Sequence, residues 1–140
     1  MGRKYEKIDL EELYELFPDL NKNQVDLYID KESIKIYDKI SKFISNKKNR
    51  NKFFRILYTV AQGKYRNDLY EKVETGVAEM KFKGKSFNHT RIFCKEIKNG
   101  GKKVVMISII SKKSNTIQES SKLISAVQRV KEYKYDLWNK

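Results

Sequence analysis

Between His89 and Asn115 the chain reads HTRIFCKEIKNGGKKVVMISIISKKSN, two apolar runs joined by a glycine turn. A hairpin needs only its turn and its apolar stripe, so Arg91, Lys95, Lys98, Lys102, Lys103, Lys112 and Lys113 call for another explanation. Cations of this kind, helped by hydroxyls or one imidazole, can run a reaction on RNA. The 2′-hydroxyl of RNA is a built-in nucleophile that attacks the adjacent phosphate and releases the 5′-oxygen. The protein then supplies a base near the 2′-oxygen, an acid near the leaving oxygen and positive charge on the pentavalent phosphate. Arginine offers a fixed charge and a two-pronged fork for phosphate oxygens. Crowded lysines disfavour one another's charged form, which moves them toward a useful range.

Other chemistries are poorly served. One histidine and one cysteine cannot build a His/Cys zinc site of the usual kind. There is no Gly-rich phosphate loop and no Gly-x-Ser-x-Gly elbow. Acidic residues are scarce after Asp38, which argues against a two-metal carboxylate site. Neither a metal nor a small-molecule cofactor is expected.

Composition points to the same partner. The chain has 140 residues, enough for one domain with a real core, and a net charge of +13. The charge is uneven: residues 1–30 hold 4 basic and 8 acidic side chains, and residues 31–140 hold 27 and 10. A folded body with such a surplus attracts polyanions, nucleic acid first among them. Lys-, Ile- and Asn-rich usage is also what an AT-rich genome encodes. The lone Cys94 forms no internal disulfide and suits a reducing cytoplasm. No run of 18 apolar residues exists and the opening MGRKYEKIDLEE has no apolar leader, so neither a membrane span nor a signal peptide is expected.

The elements that must position these cations can be read in order. IDLEELYELF predicts a helix with Asp9 and Glu12 as a capping box, ended at Pro18. Residues 1–24 are expected to form an acidic helical arm, packed on neighbouring helices through Leu10, Leu13 and Phe17 or laid over a basic face. VDLYI alternates as a strand. KESIKIYDKISKFISNK and KFFRILYTVAQ predict two helices in an antiparallel hairpin, parted by a polar break at 46–51 and stopped at Gly63. Residues 64–76 read as a loop with one helical turn. VAEMKF, TRIFCKEI and KVVMISII predict three strands, with turns at KGKS and KNGG. The unbroken apolar run of the last marks a central strand covered on both faces. Thr116 and Glu119 are spaced as the capping box of a final helix. The expectation is an α+β fold: a mostly antiparallel sheet over 25–140 with a helical hairpin on one face.

The pattern VAEMKFKGKSFNHTRIFCKEI…KKVVMISIISKKSNTIQESSKLISAVQRV resembles the RelE/HigB superfamily of bacterial toxins (RelE/ParE in the wider sense), including its phage-borne, HigB-like members. Those families run strand, two helices, three antiparallel strands and a helix, the order expected from Val25 to Val130. Their strand motif of Tyr-Arg-apolar-aromatic corresponds here to TRIF, and the basic pair before the last helix to SKKSNT. The resemblance implies a ribosome-dependent mRNA endoribonuclease neutralised by a cognate antitoxin. It implies that Arg91 holds the scissile phosphate, with Lys81, or Lys83 in its place, as the basic residue of the preceding strand. Lys113, or Lys112 by a one-residue slip, then matches the basic position after the last strand. Lys83, Lys85, Lys95 and Lys112 are the expected RNA contacts. Leu123 falls where the family's late tyrosine lies, which leaves His89 as the candidate proton-transfer group.

Each of these residues has a plainer reading. Arg91 could pair with Glu79 across the sheet, Lys81 and Lys83 could be solvated strand cations, and Lys112 and Lys113 could bind phosphate without taking part in chemistry. His89 could be an ordinary surface residue. The competing functional class is a non-catalytic binding module on the same fold: a ParE-like toxin that targets a protein, or a phage nucleic-acid binder. The geometric requirement separates them, because only a nuclease needs Lys81, Arg91 and Lys113 to converge.

Overall fold

A computed structural model describes residues 2–22, 24–98, 101–111 and 117–136, the last of these without side chains for 117–120. The order is β1 (Tyr5–Lys7), α1 (Glu11–Leu16), β2 (Val25–Asp30), α2 (Ile34–Ser45), α3 (Lys47–Ala61), β3 (Tyr70–Glu74), β4 (Val77–Phe82), β5 (Thr90–Lys98), β6 (Lys102–Ser111) and α4 (Ile117–Glu132). The six strands form one sheet in the order β1-β2-β6-β5-β4-β3, antiparallel throughout except where β2 runs parallel to β6. The fold is α+β, as expected.

Side chains alternate between two cores. Leu27, Ile29, Met80, Ile92, Cys94 and Met106 face the α2–α3 hairpin and α1. Tyr28, Val77, Phe93, Val105 and Ile107 face α4, packing with Ala126 and Val130. The strand β6 contributes to both cores, which explains its unbroken apolar run. Burial pushes the Cys94 thiol well above its usual range, with the Glu96 and Glu79 carboxylates adding to the effect.

The helix boundaries follow from local hydrogen bonding. The break between α2 and α3 is narrower than 46–51: Asn46 alone makes it, its side chain accepting from the Lys48 and Asn49 amides. At the other end of α3 the Gly63 amide donates to Val60 and the Lys64 amide to Thr59, a Schellman closure that needs the positive φ of 72° at Gly63. Asp9 caps only a turn, accepting from the Glu11 amide, and α1 starts two residues later. Thr116 and the middle of the KNGG turn lie outside the described residues.

Two strands depart from the sequence expectation. The segment 64–76 contains the edge strand β3 rather than a helical turn, and β1 pairs with β2 at the opposite edge. Both are short and charged, as edge strands commonly are, so neither shows an apolar alternation. The acidic segment takes the first of its two expected positions. Leu13 and Leu20 enter the hairpin core, Phe17 meets Tyr58 at 4.5 Å, and Glu12 pairs with Arg50. A boundary at residue 24 therefore does not divide the core. Among the described residues no helix is long and apolar enough to cross a membrane.

Two buried carboxylates bind the ends of the sheet together. Asp30 accepts from Arg3 Nε at 2.6 Å and from the Tyr135 hydroxyl, joining both ends of the described chain to β2. Glu96, whose side chain is 4% exposed, accepts from Tyr65 at 2.7 Å, from Tyr70, and from Lys102 at 3.1 Å. Burial raises the Glu96 carboxyl, but the bonds from Tyr70, Tyr65 and Lys102 outweigh it and hold the carboxyl below its usual range. A carboxyl depressed by folding stabilises the fold above its unfolded value, about 4.3, and loses that contribution as pH falls through the folded value. Glu96→Gln should therefore cost about 2 kcal/mol in thermal or urea unfolding at neutral pH. The difference from the parent should shrink below the folded pKa. An equal difference at pH 7 and in strong acid would remove the charge from this account.

Candidate functional site

Burial of Ile92 and Cys94 beneath the helical hairpin sends Arg91, Phe93 and Lys95 to the opposite face of β5. In the β4–β5 ladder Lys81 and Arg91 are directly opposed, Glu79 lies opposite Phe93, and Glu71 of β3 lies opposite Glu79. All four charged side chains therefore share the α4 side of the sheet, at the end where β4 stops and β5 starts.

Lys81, Lys83, His89 and Arg91 line one open cavity of about 280 Å³, with Gly84 and Thr90 in its wall. The link between the two strands shapes it. Gly84 adopts φ 107°, a conformation that L side chains rarely take, and a 3₁₀ turn spans Lys85–Phe87. Phe87 packs toward Phe82, and the Lys48 ammonium donates to the Ser86 carbonyl, which ties the link to α3. Thr90 Oγ1 donates to the Phe87 carbonyl at 2.7 Å. Between these anchors Asn88 and His89 hold positive φ of 52° and 45°. Two successive non-glycine residues in this region store strain, and such strain gathers at functional sites.

The cations are already in contact with carboxylates. Arg91 Nη1 lies 3.1 Å from Glu79 Oε1, with side chains 32% and 9% exposed. The Lys81 ammonium meets Glu71 and also donates to the Asn67 carbonyl at 2.9 Å. Its close partner is thus a carboxylate, where the crowding argument required another ammonium. The field at Glu71 shows how far the cations converge: Lys81 first, then Lys83 and Arg91, hold its carboxyl below the usual range. Beyond Lys83 the positive surface continues to Lys52, whose ammonium is lowered by burial and by Arg55, Arg66 and Lys83 against the opposing Asp68.

Other nominated residues sit elsewhere. Lys95 donates to the Val130, Lys131 and Tyr133 carbonyls and closes the C-terminal end of α4. That bonding gives it a structural task in place of the expected RNA contact. Lys85 is exposed on the 3₁₀ turn and does not line the cavity. Lys112 and Lys113 lie outside the described residues. Of the remaining cations that opened the question, Lys102 pairs with Glu96 and Lys103 approaches Asp26 at 3.8 Å.

Glu71 and Glu79 are the site residues that sequence reasoning passed over. Glu79 appeared there only as a pairing option for Arg91. Its period-two spacing from Lys81 was the available signal, while Glu71 sits in a segment not read as a strand. Among the described residues no group of three His, Cys, Asp or Glu is placed to hold a metal ion. No family model, no curated protein and no solved structure matches this chain.

Chemically, the arrangement is an anion seat occupied by the protein's own carboxylates. Glu71→Gln with Glu79→Gln should tighten binding of a short single-stranded RNA at low salt by roughly tenfold, since each competing pair is worth about 0.5–1 kcal/mol. Fluorescence anisotropy measures this directly. Unchanged affinity would mean that anions do not bind at Lys81 and Arg91.

Proposed function

We propose that this chain is a toxin-like, metal-independent endoribonuclease of the RelE/HigB type, cleaving mRNA on the ribosome through 2′-hydroxyl attack and neutralised by an antitoxin. The observation that carries the reading is the convergence of Lys81, Lys83, His89 and Arg91 on one cavity, with Lys81 and Arg91 opposed across neighbouring strands. The run from β2 through α4 also follows the strand, helix, helix, strand, strand, strand, helix order of those toxins, with β3 as an extra edge.

In this reading the Arg91 fork and the Lys81 ammonium leave Glu79 and Glu71 for the scissile phosphate and stabilise its growing charge. His89, exposed at the cavity mouth, protonates the leaving 5′-oxygen. Glu79, the carboxylate 3.1 Å from Arg91, accepts the 2′-hydroxyl proton once the guanidinium turns to the phosphate. The products are a 2′,3′-cyclic phosphate and a 5′-hydroxyl end.

A second reading is favoured by the same ion pairs. If Glu71 and Glu79 serve only to hold Lys81 and Arg91, the face is a non-catalytic binding surface on the same fold.

Expression in cells separates the two readings. The parent should arrest growth and cut translated mRNA, with ends mapped by primer extension. Arg91→Ala should lower cleavage on the order of 100-fold. A parent that neither arrests growth nor cuts mRNA ends the nuclease proposal. An Arg91→Ala variant as active as the parent ends the site assignment and leaves the class open. Binding of RNA by the parent should also weaken steeply with salt, because phosphate contacts release counterions.

A further inference from the structure

Arg91 borders two depressions. One is the cation-lined cavity with Lys81, Lys83 and His89; the other is a groove of about 360 Å³ between the sheet and α4. The groove is apolar where the cavity is charged. Buried Phe93 contributes to it from β5, Val73 from β3, and Leu123 and Ile124 from α4. Ile124 is 69% exposed, and Val73 is exposed as well. Core packing accounts for neither, since neither belongs to the smaller core that holds α4 or packs against it.

We propose that this groove is a nucleobase subsite, receiving a base of the nucleic-acid strand whose phosphate rests on Arg91. The proposal rests on the nucleic-acid reading above and extends it to what selects the sequence. In a nucleotide the base is one sugar away from its phosphate, so a phosphate on Arg91 presents its base to whatever depression adjoins that guanidinium. The cavity has one apolar side chain in its wall, Phe82, whereas the groove has Val73, Phe93, Leu123, Ile124 and Val127, against which a base removed from its stack can be held.

The polar groups beside it suggest which bases fit. Glu74, Glu79 and Gln128 line the groove, and two of the three are carboxylates that only accept hydrogen bonds. Glu74 pairs with Lys131 at 3.1 Å, which orients its carboxylate at the edge of the groove and stays in place when a phosphate takes Arg91. Acceptors of this kind match the exocyclic amino groups of cytosine, adenine and guanine, whereas thymine and uracil offer them a single ring N–H. Charge also favours a nucleic-acid occupant over a protein one, because the groove opens beside Arg91 and the cationic cavity.

The test uses end-labelled single-stranded oligodeoxynucleotides, which lack the 2′-hydroxyl and so bind without being cut. Anisotropy titrations compare oligo-dA, oligo-dC, oligo-dT and an abasic sugar–phosphate strand of equal length. The parent should bind dA and dC about tenfold more tightly than the abasic strand, with dT between them. Ile124→Ser, at an exposed position that leaves the core intact, should reduce dA and dC to the abasic level and spare the salt-sensitive remainder. Arg91→Ala should weaken every strand, the abasic one included. A parent that binds the abasic strand as well as dA overturns the subsite and leaves the nucleic-acid reading standing. A base preference that survives Ile124→Ser overturns it too, by placing the base elsewhere. If no strand binds at all, the nucleic-acid reading falls and the subsite with it. Base-blind binding together with self-association that Ile124→Ser abolishes assigns the groove to a protein contact and overturns the proposal.

Discussion

The burial of Ile92 and Cys94 under the helical hairpin is the constraint on which the candidate site depends. Side chains on a strand alternate, so burying those two leaves Arg91, Phe93 and Lys95 no option but the α4 face. Met80 and Phe82 impose the same choice on β4 and send Glu79 and Lys81 to that face as well. A one-residue slip of either strand would put charged side chains into the hairpin core, which apolar packing forbids. The charged face is therefore specified by the apolar residues between its members.

A bulge adds to this arrangement. In the β5–β6 ladder Phe93 lies opposite Ser108 and Cys94 opposite Met106, so Ile107 is the extra residue of β6. Ile107 joins the smaller core with Phe93 and Val105, beneath α4. Bulges of this kind bend the strand that carries them and re-aim nearby side chains. Here the bulge lies two residues from Arg91, between the packed part of the sheet under α4 and the open end where the cations gather.

Two groups of cations can be told apart among the described residues of the sheet. Lys95, Lys102 and Lys103 are attached to helix carbonyls or carboxylates that hold the sheet and α4 together. Lys81, Lys83 and Arg91 surround a cavity, and their field reaches the half-exposed carboxylate of Glu71. Net charge alone does not distinguish the two. The carboxylates of Glu71 and Glu79 also give the open end a definite geometry before any ligand arrives, because they hold long cationic side chains in place. An incoming phosphate then exchanges one anion for another, without having to order free lysines.

Much of the architecture was legible in the primary structure. Alternation marked β2, apolar runs between turn signals marked β4, β5 and the unbroken β6, and helical stripes with Gly63 marked the hairpin, because burial leaves an apolar trace. The common face of Lys81 and Arg91 was implicit in those runs once the strands were placed. Tertiary structure alone decided the rest. The edge strands β1 and β3 leave little trace, since they are short, charged and stabilised by pairing with a neighbour. The placing of Glu71 beside Lys81 and Arg91 depends on β3, which periodicity does not show. The loss of Lys95 to the end of α4 depends on how a helix more than twenty residues later packs. Periodicity records which side of an element is buried; it carries no record of which distant partner a polar side chain meets on the other side.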